Sequence, residues 1–307
     1  MTDKRILIIG ASGFIGRALV RNLAGSGYDV VALTRTPVAS RGLFPDRVVT
    51  AGWDGRTAAG WGDLADGAFA IVNLAGDNLA EGRWTRAKKE RILRSRTDAG
   101  AAVAEAVRAA SKKPGVLIQA SAIGAYGRRE NEELDEGSSA GTDFLADVVR
   151  RWEDSTKDVE SFGVRRAVVR SGLVLGKEGG AWPRLVLPFR FFAGGPLGSG
   201  RQWFSWISIE DEVRAVRFLI ERDELAGTFN LTAPGSLRQK EFCRVIGKAM
   251  KRPCWLPVPA VVLKVLFGEK ADATLLSGQR VLPRRLLAAG FEFRHPDAVT
   301  AVTAALS

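Results

Sequence analysis

Histidine occurs once in these 307 residues and cysteine twice. The single His295 stands beside Pro296, far in sequence from the glycine-rich N-terminus, which argues against a His-dependent triad and against a His-rich metal centre; no metal is expected. Cys243 and Cys254 are too few for a disulfide framework, and their spacing matches no zinc-ligand pattern, so both are expected to be reduced, buried thiols. No apolar run reaches the ~20 residues that a membrane helix needs. Internal repeats, low-complexity linkers and disorder-type composition are also missing. The first apolar segment begins at Arg5, which leaves no room for a signal peptide, and the expected location is cytoplasmic.

What is abundant is positive charge: 45 Lys and Arg against 34 Asp and Glu, a formal net charge of +11. Phosphate contacts dominate nucleic-acid affinity, so such a balance invites a nucleic-acid reading. The bases are spread along the chain without a recognition motif, however, so the expectation is a basic surface that favours anionic cofactors. The expected partner is a small-molecule substrate, with no nucleic acid and no membrane, and the chain is expected to be a monomer or homodimer. With 46% hydrophobic residues it can bury one α/β domain and a smaller appendage.

The most informative stretch is Arg5-Ile-Leu-Ile-Ile-Gly10-Ala-Ser12-Gly13-Phe14-Ile15-Gly16. A short apolar strand ends in three glycines spaced three apart and runs into a helix. Gly10 permits the sharp turn, Gly13 lets backbone amides approach a pyrophosphate, and Gly16 lets the helix that begins near Phe14 pack close on the strand. The phosphates then sit at the positive helix end, against Ser12, Phe14 and Ile15.

Asp29 to Thr34 reads as the neighbouring parallel strand, and it ends at Arg35. An acidic residue at this tip binds the ribose 2′-hydroxyl of NAD, whereas arginine suits the 2′-phosphate of NADP; Thr34 and Arg35 point to NADP(H). Ala68 to Asn73 is a further buried strand leading into Leu74-Ala75-Gly76, small residues against which a cofactor can lie. A helix is predicted from Thr85 to Ala110, carrying Arg91, Arg94 and Arg96, of which Arg91 and Arg96 are candidates for phosphate or ribose contact. Val116 to Ser121 is the next strand, and the turn to Tyr126-Gly127 puts hydroxyls at its carboxyl end, where open α/β sheets bind ligands. Phe144 to Glu160 reads as helix and Arg165 to Gly172 as strand. The alternation predicts an α/β fold, a Rossmann-type doubly wound parallel sheet, with residues 1–175 forming a dinucleotide-binding domain to which later segments return. Residues 176–307 would supply mainly a small C-terminal α/β substrate domain. There Arg201, Trp203 and Trp206 form either a substrate wall or interface packing, followed by helices near Gln239 to Met250 and Ala260 to Leu266.

Taken together, Gly10-Ala-Ser-Gly-Phe-Ile-Gly16, Asn73-Leu-Ala-Gly76, Ser95-Arg96, Ser121-Ala-Ile-Gly-Ala-Tyr-Gly127, Arg170-Ser-Gly-Leu-Val-Leu-Gly176, Pro196-Leu-Gly-Ser-Gly-Arg-Gln-Trp203 and Gln279-Arg-Val-Leu-Pro283 resemble an atypical extended short-chain dehydrogenase/reductase. The likeness spans nearly the whole chain. It is to the NAD-dependent epimerase/dehydratase group, in a branch sometimes labelled a cell-division inhibitor. The resemblance implies a domain that binds NADP(H) and a small C-terminal domain closing a pocket over the nicotinamide. The wider superfamily transfers protons with a Ser and a Tyr-x-x-x-Lys pair, the lysine lowering the tyrosine pKa. In this chain those helix positions are Phe144 and Val148, and the usual serine falls on Ala122, next to Ser121. Ser121 and Tyr126 are therefore the catalytic candidates. Ser208 stands where the family more often has histidine.

Two functions remain open at this stage. One is an epimerase-like oxidoreductase in which NADPH supplies hydride and Tyr126, Ser121 or water handles the proton. The other is a non-catalytic NADP(H)-binding protein whose nucleotide stabilises the fold or reports redox state to a partner.

Overall fold

The structure, a computed structural model, describes residues 4–307. Its centre is a seven-stranded sheet of β1 (Arg5–Ile9), β2 (Asp29–Thr34), β3 (Val49–Gly52), β4 (Ala70–Asn73), β5 (Val116–Ala122), β6 (Arg165–Ser171) and β7 (Gly227–Leu231). The strand order is β7-β6-β5-β4-β1-β2-β3, and every pairing is parallel. Alternation of side chains decides the two faces. Ile6 and Ile8 of β1 point into one core with Val30 and Ala32 of β2, while Leu7, Ile9, Val31 and Leu33 point into the other. Parallel strands covered on both faces need this continuous apolar character.

The first face is closed by α1 (Phe14–Gly25), through Leu19, Val20 and Leu23. The second is closed by α2 (Arg86–Ala109), through Ala99, Val103 and Val107. Thr85 caps α2, its hydroxyl accepting from the Lys88 amide at 3.2 Å. The predicted helix from Phe144 to Glu160 is shorter than expected. The helix α3 (Phe144–Asp154) stops at Ser155, and a 3-10 turn over Lys157–Phe162 carries the chain to Gly163, whose φ of 77° reverses it into β6.

The sheet does not end with β6. After α4 (Trp182–Arg190), the chain returns through α5 (Ile209–Glu221), which packs on α1, and adds β7 as the outermost strand beside β6. A third core lies outside the sheet, where Trp182, Val186 and Phe189 meet Trp206, Phe242 and Ile246 of α6 (Gln239–Met250) and Val302. The helices α7 (Ala260–Phe267) and α8 (Glu269–Thr274) lie beyond it, and α9 (Ala298–Leu306) packs on α6.

The cysteines depart from expectation, since Cys243 and Cys254 are joined as a disulfide. The reason lies in how α6 ends. Lys251 adopts a left-handed conformation (φ 54°), and the Arg252 amide donates to Gly247 at 2.8 Å, which folds the chain back until Cys254 meets Cys243. No helix among the described residues is long and apolar enough to cross a membrane.

Candidate functional site

The order of the strands leaves β1 between β4 and β2, and chain connections leave that point in opposite directions. Ligands of doubly wound sheets sit at such a switch point, outside the carboxyl ends of the strands. Here a cleft of about 260 Å³ opens there, lined by Gly10, Ser12 and Gly13 after β1, Thr34 and Arg35 after β2, and Leu74 to Asp77 after β4.

Each glycine of the turn meets a different constraint. Gly10 has φ +81°, and a Cβ on it would lie 2.9 Å from the Leu74 carbonyl. A Cβ on Gly16 would lie 2.3 Å from the Gly10 oxygen, so only glycine lets α1 approach the turn. Gly13 caps α1, and the helix has no acidic residue in its first turn. The amides of Phe14 and Ile15 belong to that first turn, where a helix offers no internal acceptor and the dipole is positive. The Phe14 ring itself points elsewhere, filling the space that side chains on Gly176, Gly179 and Gly180 would otherwise occupy.

At the other end of the cleft, Thr34 is buried, with its hydroxyl 3.2 Å from Ser40 Oγ. Arg35 is exposed, its stem lying against Gly55. Five lining residues escaped the sequence reading as contacts: Leu33, Trp53, Gly55, Asp77 and Ser95, whose Oγ accepts from the Asp77 amide at 2.9 Å. Arg96 is not on the lining. It is buried beneath Gly76, donates to the carbonyls of Ile92 (2.9 Å) and Asp77 (3.2 Å), and stacks 4.9 Å from the Trp152 ring. Burial pulls its pKa down to about 10 against the pull of Asp77. Arg96 thus holds the turn after β4 in place, while Arg91 is exposed on α2 and does not line the cleft.

The expected catalytic hydroxyls lie elsewhere. Ser121 Oγ donates to Glu153 Oε1 at 2.5 Å, and Glu153 is forked by Arg170 at 2.8 and 2.9 Å. Tyr126 is 0% exposed and donates to Asn230 Oδ1 at 2.7 Å, with the Arg170 guanidinium 5.0 Å from its ring. Burial holds the tyrosine above its ordinary pKa, although Arg170 and Asn230 act the other way. Neither hydroxyl lines one of the cavities described here, and both are satisfied by internal partners, which corrects the expectation that they face a substrate.

Among the expected substrate residues, Arg201 lines an open, polar bowl of about 770 Å³ with Arg128, Arg129, Arg238 and Lys240. Trp203 is half-buried between the guanidiniums of Arg238 (4.0 Å) and Arg280 (4.8 Å). Trp206 is 0% exposed and packs against Phe242 in the third core, which corrects its place on a substrate wall. An apolar cavity that the sequence reading did not foresee lies between α4, α6 and α7. Its volume is about 240 Å³, and its wall includes Leu185, Phe189, Phe204, Phe242 and Leu263. Among the described residues no group of three or more His, Cys, Asp and Glu is placed to hold a metal.

Residues 6–232 match the family described as the NAD dependent epimerase/dehydratase family. The chain belongs to that family. Residues 258–305 match a second pattern, a domain of unknown function designated DUF1731. The chain is 39% identical over 306 residues to the chloroplastic epimerase family protein SDR39U1 homolog of Arabidopsis thaliana, covering 97% of this chain and 86% of that one. Its fold matches the crystal structure of human epimerase family protein SDR39U1 with NADPH at a TM-score of 0.88 and 34% identity, over 98% of both chains. A nucleoside-diphosphate sugar epimerase from Corynebacterium glutamicum matches at a TM-score of 0.77 and 30% identity, over 98% of this chain and 58% of that one.

Within this epimerase family member, the positions that the resemblance assigns to the Tyr-Lys pair lie in an apolar cluster. Phe144 meets Trp84 edge-on at 5.5 Å, and Val148 is buried with Trp84 and Ile92. At Ser208 the fold supplies what the sequence appeared to lack. His295 Nδ1 lies 3.0 Å from Ser208 Oγ, and Asp211 Oδ2 accepts from both Ser208 Oγ (3.1 Å) and the His295 amide (2.9 Å). The chain's one imidazole therefore returns to this place from the C-terminal segment, beside a cavity of about 250 Å³ that Phe14 also lines.

Proposed function

We propose that this chain is an NADP(H)-binding, epimerase-like oxidoreductase acting on a small molecule. The observation that carries the reading is one continuous cleft with a bare helix N-terminus at one end and the exposed Arg35 at the other. A diphosphate suits the amides of Phe14 and Ile15, while the Gly13 amide closes the turn on the Gly10 carbonyl at 3.0 Å; a side chain at Gly13 would crowd the Gly10 oxygen at 3.2 Å and fill the space above the turn. Arg35 suits a 2′-phosphate, and the human relative solved with NADPH supports the same assignment. When bound, the dinucleotide supplies a hydride.

The chain's own residues position and enclose. Gly76 and Ala75 offer a flat wall, held by Arg96 from beneath, and Asp77 is fixed by Lys88 at 2.7 Å. With Phe144 and Val148 in the apolar cluster and Tyr126 bonded internally, proton delivery falls to water or to a polar group at the cleft rim. That favours acceptors whose reduced anion needs no strong acid beside it, such as quinones, over simple ketones and aldehydes.

The same apolar cluster favours a second reading, a non-catalytic NADP(H)-binding protein. Purified protein mixed with NADPH and a panel of quinones, aldehydes and sugar nucleotides separates the two. Consumption of reduced nicotinamide with one class supports the enzyme; tight NADPH binding without turnover on any class supports the second reading. Absence of binding to either nicotinamide dinucleotide by calorimetry overturns both.

A further inference from the structure

The apolar cavity between α4, α6 and α7 has one charged end. Lys270 of α8 lines it and is only 7% exposed. Its ammonium donates to the carbonyls of Ala80 (3.0 Å) and Gly82 (2.7 Å), but no carboxylate among the described residues is paired with it. The acids nearest in sequence are committed elsewhere, Glu269 to Lys89 at 2.5 Å and Asp272 to Lys264 at 3.0 Å. Arg184 lies at the rim and reaches the same Ala80 carbonyl at 3.3 Å. Burial pushes the Lys270 pKa below its ordinary value, and the neighbouring charges of Arg184 and Lys88 push the same way. A buried cation without a counter-ion is costly, so the site is electrically incomplete as it stands.

The remaining wall offers almost nothing polar. Leu185, Phe189, Phe204, Phe242 and Leu263 carry no donor, the Gln239 Oε1 accepts from the Leu197 amide at 3.0 Å, and the Thr274 hydroxyl donates to the Lys270 carbonyl at 2.8 Å. A sugar placed here would lose water from several hydroxyls and find too few partners for them. The volume, about 240 Å³, equals roughly eight waters at ~30 Å³ each, the scale of an aryl or medium-chain acid.

We propose that this cavity binds an apolar monocarboxylate, with the carboxylate on Lys270 and Arg184 and the hydrocarbon or aryl body among Phe189, Phe204 and Phe242. The loop from Asp77 to Gly82 separates it from the cofactor cleft, Asp77 lining the cleft and Ala80 the cavity. Binding of the acid does not depend on the oxidoreductase reading.

The test titrates the full chain, with and without NADPH, with decanoate, decan-1-ol and UDP-glucose by calorimetry. Decanoate is expected to bind one to one, decanol about tenfold more weakly, as loss of a charge-assisted hydrogen bond implies, and UDP-glucose not to compete. Lys270→Met should abolish the preference for the acid while keeping decanol binding, and Lys270→Arg should retain it. Arg184→Glu, at an exposed position, should weaken decanoate and leave decanol unchanged, and it keeps the test decisive if Lys270→Met does not fold. Equal affinity for acid and alcohol, competition by UDP-glucose, or an undiminished acid preference in Lys270→Met or Arg184→Glu overturns the proposal. Decanoate binding in a chain that fails to bind NADPH counts against the oxidoreductase reading alone.

Discussion

The cleft at the glycine turn and the apolar cavity between α4, α6 and α7 are hollows built by opposite means. In the first, backbone from three strand ends makes the surface, and a few positions where any side chain would collide define it. In the second, side chains drawn from Ala80 to Leu275 supply the wall, and its shape depends on volume. A backbone site tolerates no Cβ at its key positions but is indifferent to much of the chain; a side-chain site tolerates exchange of volume but depends on every segment that reaches it.

The largest expected effect tests whether the two can be uncoupled. Phe242 is buried, tilted against Phe204 at 5.0 Å and Trp206 at 6.3 Å, so Phe242→Ala should cost about 3–5 kcal/mol in denaturant unfolding. The folded fraction should still bind NADPH normally; parallel loss of cofactor affinity would mean that the two regions form one energetic unit.

A second effect comes from a buried acid that lines neither hollow. Glu212, in the first turn of α5, is buried, accepts from Ser171 Oγ at 2.5 Å, and has no partner for Oε2. Burial raises its pKa from an ordinary 4.5 to about 7, with the Ser171 hydrogen bond opposing. Because the folded state binds the proton more tightly, this group's contribution is fully present below pH 4.5, falls as the pH rises through 7, and then levels off. The difference amounts to about 3 kcal/mol. Unfolding free energies measured across that window should fall less steeply in Glu212→Gln than in the parent; identical slopes would show that Glu212 is ionised throughout.

Gly16→Val should lower stability by about 1–3 kcal/mol through overpacking, and NADPH binding should vanish with it, since the new Cβ would displace Gly10 and the turn. Retained NADPH affinity would separate the turn from the cofactor. The smallest effect isolates one end of the cleft. Arg35→Asp should leave the unfolding transition unchanged and weaken NADPH by about 10–100-fold relative to NADH. Equal weakening of both would remove Arg35 from the 2′-phosphate.

The cleft was largely legible because its signals are local. The spacing of Gly10, Gly13 and Gly16 is read within seven residues, although the Leu74 carbonyl that also crowds Gly10 comes from a distant strand end, and Thr34-Arg35 is read from its place at a strand tip. Ser95 entered only as a family mark, because its contact with the Asp77 amide depends on α2 folding back over the turn after β4. Tyr126 and Trp206 misled for one shared reason: a polar or amphipathic side chain near a strand end can turn inward as readily as outward, and the partners that decide, Asn230 and Phe242, lie far along the chain. The cavity left no periodic trace at all, since its apolar residues also satisfy the helical pattern of a buried face.

By itself, the sequence determined the parallel sheet, through apolar runs buried on both faces and the helices between them, and it determined the nucleotide-type turn, because the conformations available to glycine are a property of the residue. Tertiary structure alone decided that His295 would stand against Ser208, that Cys243 would meet Cys254, and that Lys270 would close one end of an apolar chamber without an acid to pair with. These outcomes join segments separated by up to 190 residues. Local propensity carries no information about which distant carbonyl or carboxylate a side chain will find, and only the packed chain settles it.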